Sequence, residues 1–240
     1  MSVTDVTSDA ALAAAEPTTR FRRTAAAIAL PLAFAFQLLV NTAYAWTTTT
    51  SGLTDTGSMA ETQELYRTFA GLSPLMTTGA LIGVLLAIPG LLAALRVVRP
   101  AKPRLGLSAV VLMMLGYVCY FGMNFSGYDT LALSLADIDL SVLDTSPIRA
   151  WQLPFFLLFA IGNLVGTLLL GLAVALGGRR LGVPWWTGLL IAGWTIGHVI
   201  NISGGGEWFA VAGGMLEVVG LSILASHALR LTDTEWVARG

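Results

Sequence analysis

The segment that decides the fold is residues 74–98, PLMTTGALIGVLLAIPGLLAALRVV, followed at once by RPAKPR at residues 99–104. Its first 22 positions carry no charged side chain. An α-helix needs about 20 such residues to cross a hydrocarbon core of about 30 Å, so the segment predicts a transmembrane helix. The whole chain has the same character, because 55% of its 240 residues are hydrophobic and 11% are charged. That leaves too little polar surface to cover a water-soluble body of this size.

Five further segments are apolar over a comparable length. With the first, the predicted spans are residues 24–46, 74–98, 105–124, 153–176, 183–202 and 208–229. Backbone polar groups in lipid must pair within each crossing segment, so every crossing is helical. The sequence therefore predicts an all-α integral membrane protein, a six-transmembrane-helix bundle over residues 20–230. Residues 1–19 are predicted to form a disordered tail, because their Ala, Thr, Ser and acidic residues bury little apolar area. Residues 231–240 are predicted to form a second, short tail.

Positive charge predicts the orientation of the bundle. Eleven of the 13 Lys and Arg residues lie before the first predicted helix, in the second and fourth connections or after the sixth helix. They are Arg20, Arg22, Arg23, Arg96, Arg99, Lys102, Arg104, Arg179, Arg180, Arg230 and Arg239. By the positive-inside rule, both termini and these connections are cytoplasmic. Arg outnumbers Lys twelve to one, which is typical of GC-rich bacterial genomes, so we expect a multi-pass protein of a bacterial plasma membrane.

The first predicted helix has one alternative interpretation. Arg22 and Arg23, the apolar residues 24–40 and the Ala43-Tyr-Ala45 triplet resemble the three regions of a cleavable signal peptide. The apolar run exceeds the usual 7–15 residues of such a peptide, and a polar leader precedes the arginines. Retention is therefore the favoured interpretation, and cleavage after Ala45 would leave five helices.

Two long connections face outward in this topology. Ser58-Met-Ala-Glu61 has the spacing of a capping box, so we expect a short outer helix over residues 60–69. In the other connection, apolar residues recur at helical spacing between Leu131 and Val142, which predicts an interfacial helix on the outer leaflet.

We expect neither a metal nor a cofactor. Asp137, Asp139 and Asp144 offer the oxygen ligands that Ca²⁺ prefers, but their spacing lacks the turn Gly and the bidentate Glu of an EF-hand loop, so a solvated face is favoured. A haem held by two imidazoles is excluded, because His198 and His227 lie near opposite helix ends, about 20 Å apart along the membrane normal.

Polar side chains inside the predicted helices are costly and so point to function. Counting about 1.5 Å per residue places Glu217 and Asn163 near the midplane and Gln37 roughly 12 Å below the outer surface. The same count places Asn41 and His198 roughly 6–8 Å deep and Asn201 at the outer boundary. These six residues form a candidate polar site that opens outward: Glu217, Asn163, His198, Gln37, Asn41 and Asn201.

Glu217 is the first residue that we expect to carry function. Gly213 and Gly214 lie one helical turn before it and Gly220 lies about one turn after it, which lets a neighbouring helix approach the carboxyl closely. The alternative is structural, with Glu217 bonded to Asn163 to hold two helices together.

Three classes of function remain open from the sequence. In the first, the protein binds or moves a small polar or amphipathic molecule through an outward-facing cavity around Glu217. In the second, it is an integral-membrane enzyme that acts on a lipid or isoprenoid, with Glu217 or His198 as general acid or base. In the third, it is a non-catalytic subunit or sensor. The expected partners are the lipid bilayer and a small-molecule or lipid ligand, and we expect no nucleic acid.

Overall fold

The computed structural model describes residues 17–53 and 58–240, and within these residues the structure is helical with no β-strand. The first 16 residues of the predicted tail lie outside the described residues, and helix α1 already begins at Pro17. Residues Ser141–Thr145 and Pro147–Gln152 form 3-10 turns, and Asn201–Gly205 forms a π-helical turn. The α-helices are α1 Pro17–Ser51, α2 Met59–Thr68, α3 Ser73–Val98, α4 Pro103–Leu135, α5 Leu153–Leu181, α6 Trp186–Ile200, α7 Glu207–Arg230 and α8 Asp233–Ala238.

The described residues contain five helical segments that are long and apolar enough to cross a membrane, so the chain is a multi-pass membrane protein. The predicted span 183–202 is the exception. It forms α6, which has 15 residues and so rises only about 22 Å. Helix α5 ends in a turn at Gly182, so α6 begins only at Trp186, and a π-helical turn follows the last residue of α6. The five segments are Thr18–Ser51, Ser73–Val98, Pro103–Leu135, Pro147–Leu181 and Glu207–Arg230.

Six helices nevertheless close a ring. Each of α3, α4, α5, α6 and α7 packs against the helix next to it in this order, and α1 closes the ring by packing against both α3 and α7. The inward faces carry fully buried side chains such as Leu30, Met113 and Leu221. Outward faces expose large apolar side chains such as Leu85 and Val118, as expected for surfaces that meet lipid.

Small residues set the distance between neighbouring helices. A Cβ atom on Gly162 of α5 would lie 2.8 Å from the Cα atom of Gly116 on α4. A Cβ atom on Gly197 of α6 would lie 3.0 Å from the Cα atom of Gly213 on α7. These backbones are therefore in direct contact, which is how small residues pack membrane helices.

The short helix predicted after Ser58 is confirmed as α2, and the Ser58 side chain accepts a hydrogen bond from the Glu61 N–H. Helix α2 covers the segment that follows α4. Gln63 Nε2 donates to the Ile138 carbonyl at 2.6 Å, and Arg67 Nε donates to the Ser134 carbonyl at 2.9 Å.

The predicted interfacial helix between Leu131 and Val142 is wrong. Helix α4 continues through Leu131 to Leu135, and the chain then turns before the 3-10 segment that contains Val142. The apolar stripe is divided, because Leu131 is buried whereas Val142 is exposed. The backbone carbonyls of this segment bond to α2, so it forms a cap with α2.

The opposite end of the ring, which we call the basic end, is where α1 begins and α3, α5 and α7 end. Residues 231–240, predicted as a tail, contain helix α8. Its Trp236 is buried, with the Arg96 guanidinium 4.5 Å from the ring centroid. Arg23 pairs with Asp233 at 3.2 Å, so α8 is tied to both α1 and α3.

Candidate functional site

Glu217 lies on the inward face of α7 and is 2% exposed. The side chain of Thr167 on α5, which is fully buried, is its neighbour. Glu217 Oε1 and Thr167 Oγ1 are both buried without a hydrogen-bond partner among the described residues. An unpaired buried polar atom costs free energy, so this pair is a poorly satisfied point of the bundle interior.

Asn163 lies one helical turn from Thr167 on the same face of α5 and is also buried. Its Oδ1 accepts a hydrogen bond from the indole N–H of Trp194 on α6. Its side chain also lies within hydrogen-bonding reach of Tyr117 on α4, which in turn lies near Glu217. The Asn163 oxygen is thus taken by Trp194, and among the described residues no hydrogen bond joins Asn163 to Glu217.

His198 extends this set towards the α2 end of the ring. Its imidazole packs on Trp194 with ring centroids 3.7 Å apart, and its Nδ1 lies 3.3 Å from the Trp194 carbonyl oxygen. His198 is half-buried, whereas Asn163 and Trp194 are buried. A line of polar and aromatic side chains therefore runs from the half-exposed His198 through Trp194 to Asn163.

Two of the other three predicted site residues have partners of their own. Gln37 on α1 donates to the Ala80 carbonyl of α3 at 3.2 Å, so it joins these two helices. Asn41 lies one turn further along α1, and its buried Nδ2 has no hydrogen-bond partner among the described residues. Asn201 donates to Glu207 at 2.9 Å and so fastens the turn between α6 and α7.

Glu217 lines neither of two surface grooves formed by the described residues. One has a volume of about 490 Å³ and lies at the basic end, beside Lys102 and Trp185. The other, about 310 Å³, is an apolar groove beside Ile28 and Leu86. The cavity expected around Glu217 stays a prediction, and in the structure described here this carboxyl is enclosed by protein.

The acidic residues between α4 and α5 have protein partners. Asp137 pairs with Arg67 at 3.1 Å, and Asp144 pairs with Arg149. The backbone N–H of Ser141 donates to Asp139, which holds the pKa of that carboxyl below its ordinary value. Within residues 17–53 and 58–240, no three His, Cys, Asp or Glu side chains come together to hold a metal ion.

Comparison of the chain with protein-family models, characterised proteins and solved structures finds no match. The function is therefore inferred from the geometry of Glu217 and its neighbours.

Sequence reasoning missed Tyr117 and Thr167 as members of this site. Thr167 had a readable signal, because it lies four residues after Asn163 and so on the same helical face. Tyr117 had none, since an aromatic residue in an apolar run is an ordinary core residue.

Proposed function

We propose that this membrane protein binds a small polar or amphipathic molecule through a cationic or hydrogen-bond-donating group that pairs with Glu217. The observation that carries the proposal is the buried Glu217 Oε1, which forms no hydrogen bond of ordinary geometry with any described residue, although the Thr167 hydroxyl lies within reach of the carboxyl. No Lys or Arg of the described residues pairs with this carboxyl. A donor group from a ligand would satisfy both oxygens in a low-dielectric interior, where such a bond is strong.

The proposed route to Glu217 passes the side chains of α6. His198 is half-buried, and Trp194 lies between it and Asn163. Movement of the Trp194 indole away from Asn163 would open the enclosed carboxyl towards the α2 end. The structure then corresponds to a closed form, which is compatible with a carrier or with a binding protein.

We further propose six crossings, with both termini and the basic end in the cytoplasm of a bacterial cell and the α2 end outside. The place of α6 in the ring between α5 and α7 supports its role as a crossing helix despite its length. The Arg-rich helix ends share one end of the bundle, which supports the orientation. In a Cys119→Ser background, Ser141→Cys should react with an impermeant maleimide on intact cells and Arg180→Cys should not. The reverse pattern would refute the orientation.

Glu217→Gln tests the proposed site, because the amide keeps the size of the side chain and removes the carboxylate. Purified protein is screened by thermal shift against small amines, polyols and amphipathic cations. We expect the wild type to be stabilised by members of one class and Glu217→Gln to lose that response at an unchanged melting temperature without ligand. A ligand present at 100 times its Kd should stabilise the wild type by about 2.7 kcal/mol.

Glu207→Gln is the matched control, since Glu207 lies on the same helix but bonds Asn201 at its end. This variant should respond to ligand as the wild type does. A Glu217→Gln protein with the same ligand response as the wild type would refute the binding role and leave Glu217 as a packing residue.

A further inference from the structure

The groove of about 490 Å³ at the basic end has an unusual lining. It combines three cations, Lys102 at the start of α4 and Arg179 and Arg180 in the last turn of α5, with the indole of Trp185. None of these cations pairs with an acidic side chain among the described residues. Three unpaired cations around one concave surface leave a site of positive potential at the end of the bundle.

Local structure explains how the groove is built. Helix α5 ends at Gly182, which adopts a left-handed conformation with φ of 70° and donates its N–H to the Gly178 carbonyl. After this turn the chain reverses direction, and Trp185 packs against Gly178. A Cβ atom added to Gly178 would lie 3.3 Å from the Trp185 Cβ atom. The groove is the space left between this turn and the start of α4.

The helix termini around the groove also favour an anion. Lys102 is the N-cap residue of α4 and Trp185 is the N-cap residue of α6, so the positive ends of two helices meet at this surface. The negative end of α5 is offset by its own Arg179 and Arg180 in the last turn.

The apolar surroundings indicate where the anion comes from. Leu176 lines the groove and is 64% exposed, and Leu172, one turn before it on α5, is also exposed. An acyl chain could lie along this stripe while its headgroup occupies the cationic groove. Trp185 is exposed at the same level, which suits an indole at the membrane interface.

We propose that this groove binds the phosphate group of an anionic phospholipid, with Arg179, Arg180 and Lys102 as its cationic ligands. Basic pockets between transmembrane helices suit such headgroups, whereas a free phosphate would leave the leucine stripe without a role. The proposal is independent of the site at Glu217, and neither outcome there changes it.

Native mass spectrometry of the detergent-solubilised full chain tests the proposal, with phosphatidylglycerol, phosphatidylcholine and inorganic phosphate as probes. We expect phosphatidylglycerol to bind more tightly than phosphatidylcholine. Each cation is worth about fivefold in binding, so Arg179→Gln with Arg180→Gln should weaken phosphatidylglycerol binding roughly 25-fold. Lys102→Gln alone should weaken it about fivefold.

The matched control removes two arginines predicted to lie on the same face of the membrane but outside the groove, Arg104→Gln with Arg230→Gln. This control should bind phosphatidylglycerol within about twofold of the wild type if the groove is specific, because surface charge that does not line the groove adds little. Equal weakening in the control and the groove variant would overturn the proposal, and so would equal binding of the two lipids. Complete displacement of phosphatidylglycerol by excess inorganic phosphate would reassign the groove to a soluble anion. The single variant Lys102→Gln keeps the test valid if the double variant does not fold.

Discussion

Two glycine-to-alanine substitutions, one on α5 where it contacts α4 and one on an open face of α4, should change the free energy of unfolding in opposite directions. In Gly162→Ala, the new Cβ atom would lie 2.8 Å from Gly116 Cα and 2.9 Å from Gly116 N. The Leu112 carbonyl oxygen lies closer still, and an ordinary contact needs about 3.5 Å or more, so the helices must separate by roughly 1 Å. In Gly122→Ala on α4, the new Cβ atom would meet nothing within 4 Å.

The magnitudes follow from these distances. Overpacking costs about 1–3 kcal/mol, and the upper end applies at Gly162 because the atoms it meets are backbone and cannot rotate away. Alanine regains about 1 kcal/mol of helix propensity at either position. We therefore expect Gly162→Ala to lower the free energy of unfolding by about 2 kcal/mol and Gly122→Ala to raise it by up to about 1 kcal/mol.

The assay is unfolding of the purified protein in mixed micelles by titration with sodium dodecyl sulfate, followed by far-ultraviolet circular dichroism. The two variants should differ by about 3 kcal/mol in the free energy of unfolding. A difference within about 0.5 kcal/mol, the usual range for surface substitutions, would refute the direct contact of the two backbones. Gly162 precedes Asn163, so the destabilised variant should also lose ligand response at Glu217.

Three further predictions follow from other contacts. Trp194→Phe leaves the Asn163 oxygen without its donor, so it should lower the free energy of unfolding by about 1–2 kcal/mol. In a protein that already carries Asn163→Leu, the same substitution should cost less. A double-mutant cycle in the same micelle titration measures this difference. The Glu235 carboxylate accepts a hydrogen bond from the Thr232 N–H, which lowers the pKa of this carboxyl. At any pH above the ordinary Glu pKa, the carboxylate therefore stabilises α8. This stabilisation is lost as the pH falls through the lowered pKa. Hydrogen exchange at residues 233–238 should therefore show greater acid-induced opening in the wild type than in Glu235→Gln. The packing of α1 against α3 and α7 supports retention of the first helix, so the intact mass of the protein purified from membranes should include residues 1–45.

Helix starts could be predicted from the sequence where a capping box of neighbouring residues marks them. The capping box at Ser58 predicted α2 to within one residue at each end. The same capping-box pattern occurs at Thr232 and Glu235, where both of its hydrogen bonds are formed. This segment was nevertheless predicted as a tail. Helix α8 was therefore predictable from its cap, although its burial depends on Arg96, which is 140 residues away from Trp236.

The height of a side chain along its helix can be counted from the sequence, whereas its facing partner cannot. A rise of about 1.5 Å per residue fixes the height of a side chain along the helix axis. It does not fix the rotation of the helix or its neighbours in the ring. Asn163 and Glu217 were placed at one height, yet Asn163 bonds Trp194 and Glu217 lies beside Thr167. Gln37 was placed above them, yet it bonds the backbone of α3.

A packing role explains several of the buried polar side chains but not Glu217. Gln37 joins α1 to α3, Asn163 joins α5 to α6, and the Thr195 hydroxyl donates to the Leu164 carbonyl of α5 at 2.8 Å. Each of these residues completes a bond between two helices, as polar residues do in membrane bundles. Glu217 completes no such bond with its Oε1, although the carboxyl is more costly to bury than an amide or a hydroxyl. A glutamine or a threonine at position 217 would serve packing at lower cost, so the carboxyl itself is the feature that a binding function accounts for.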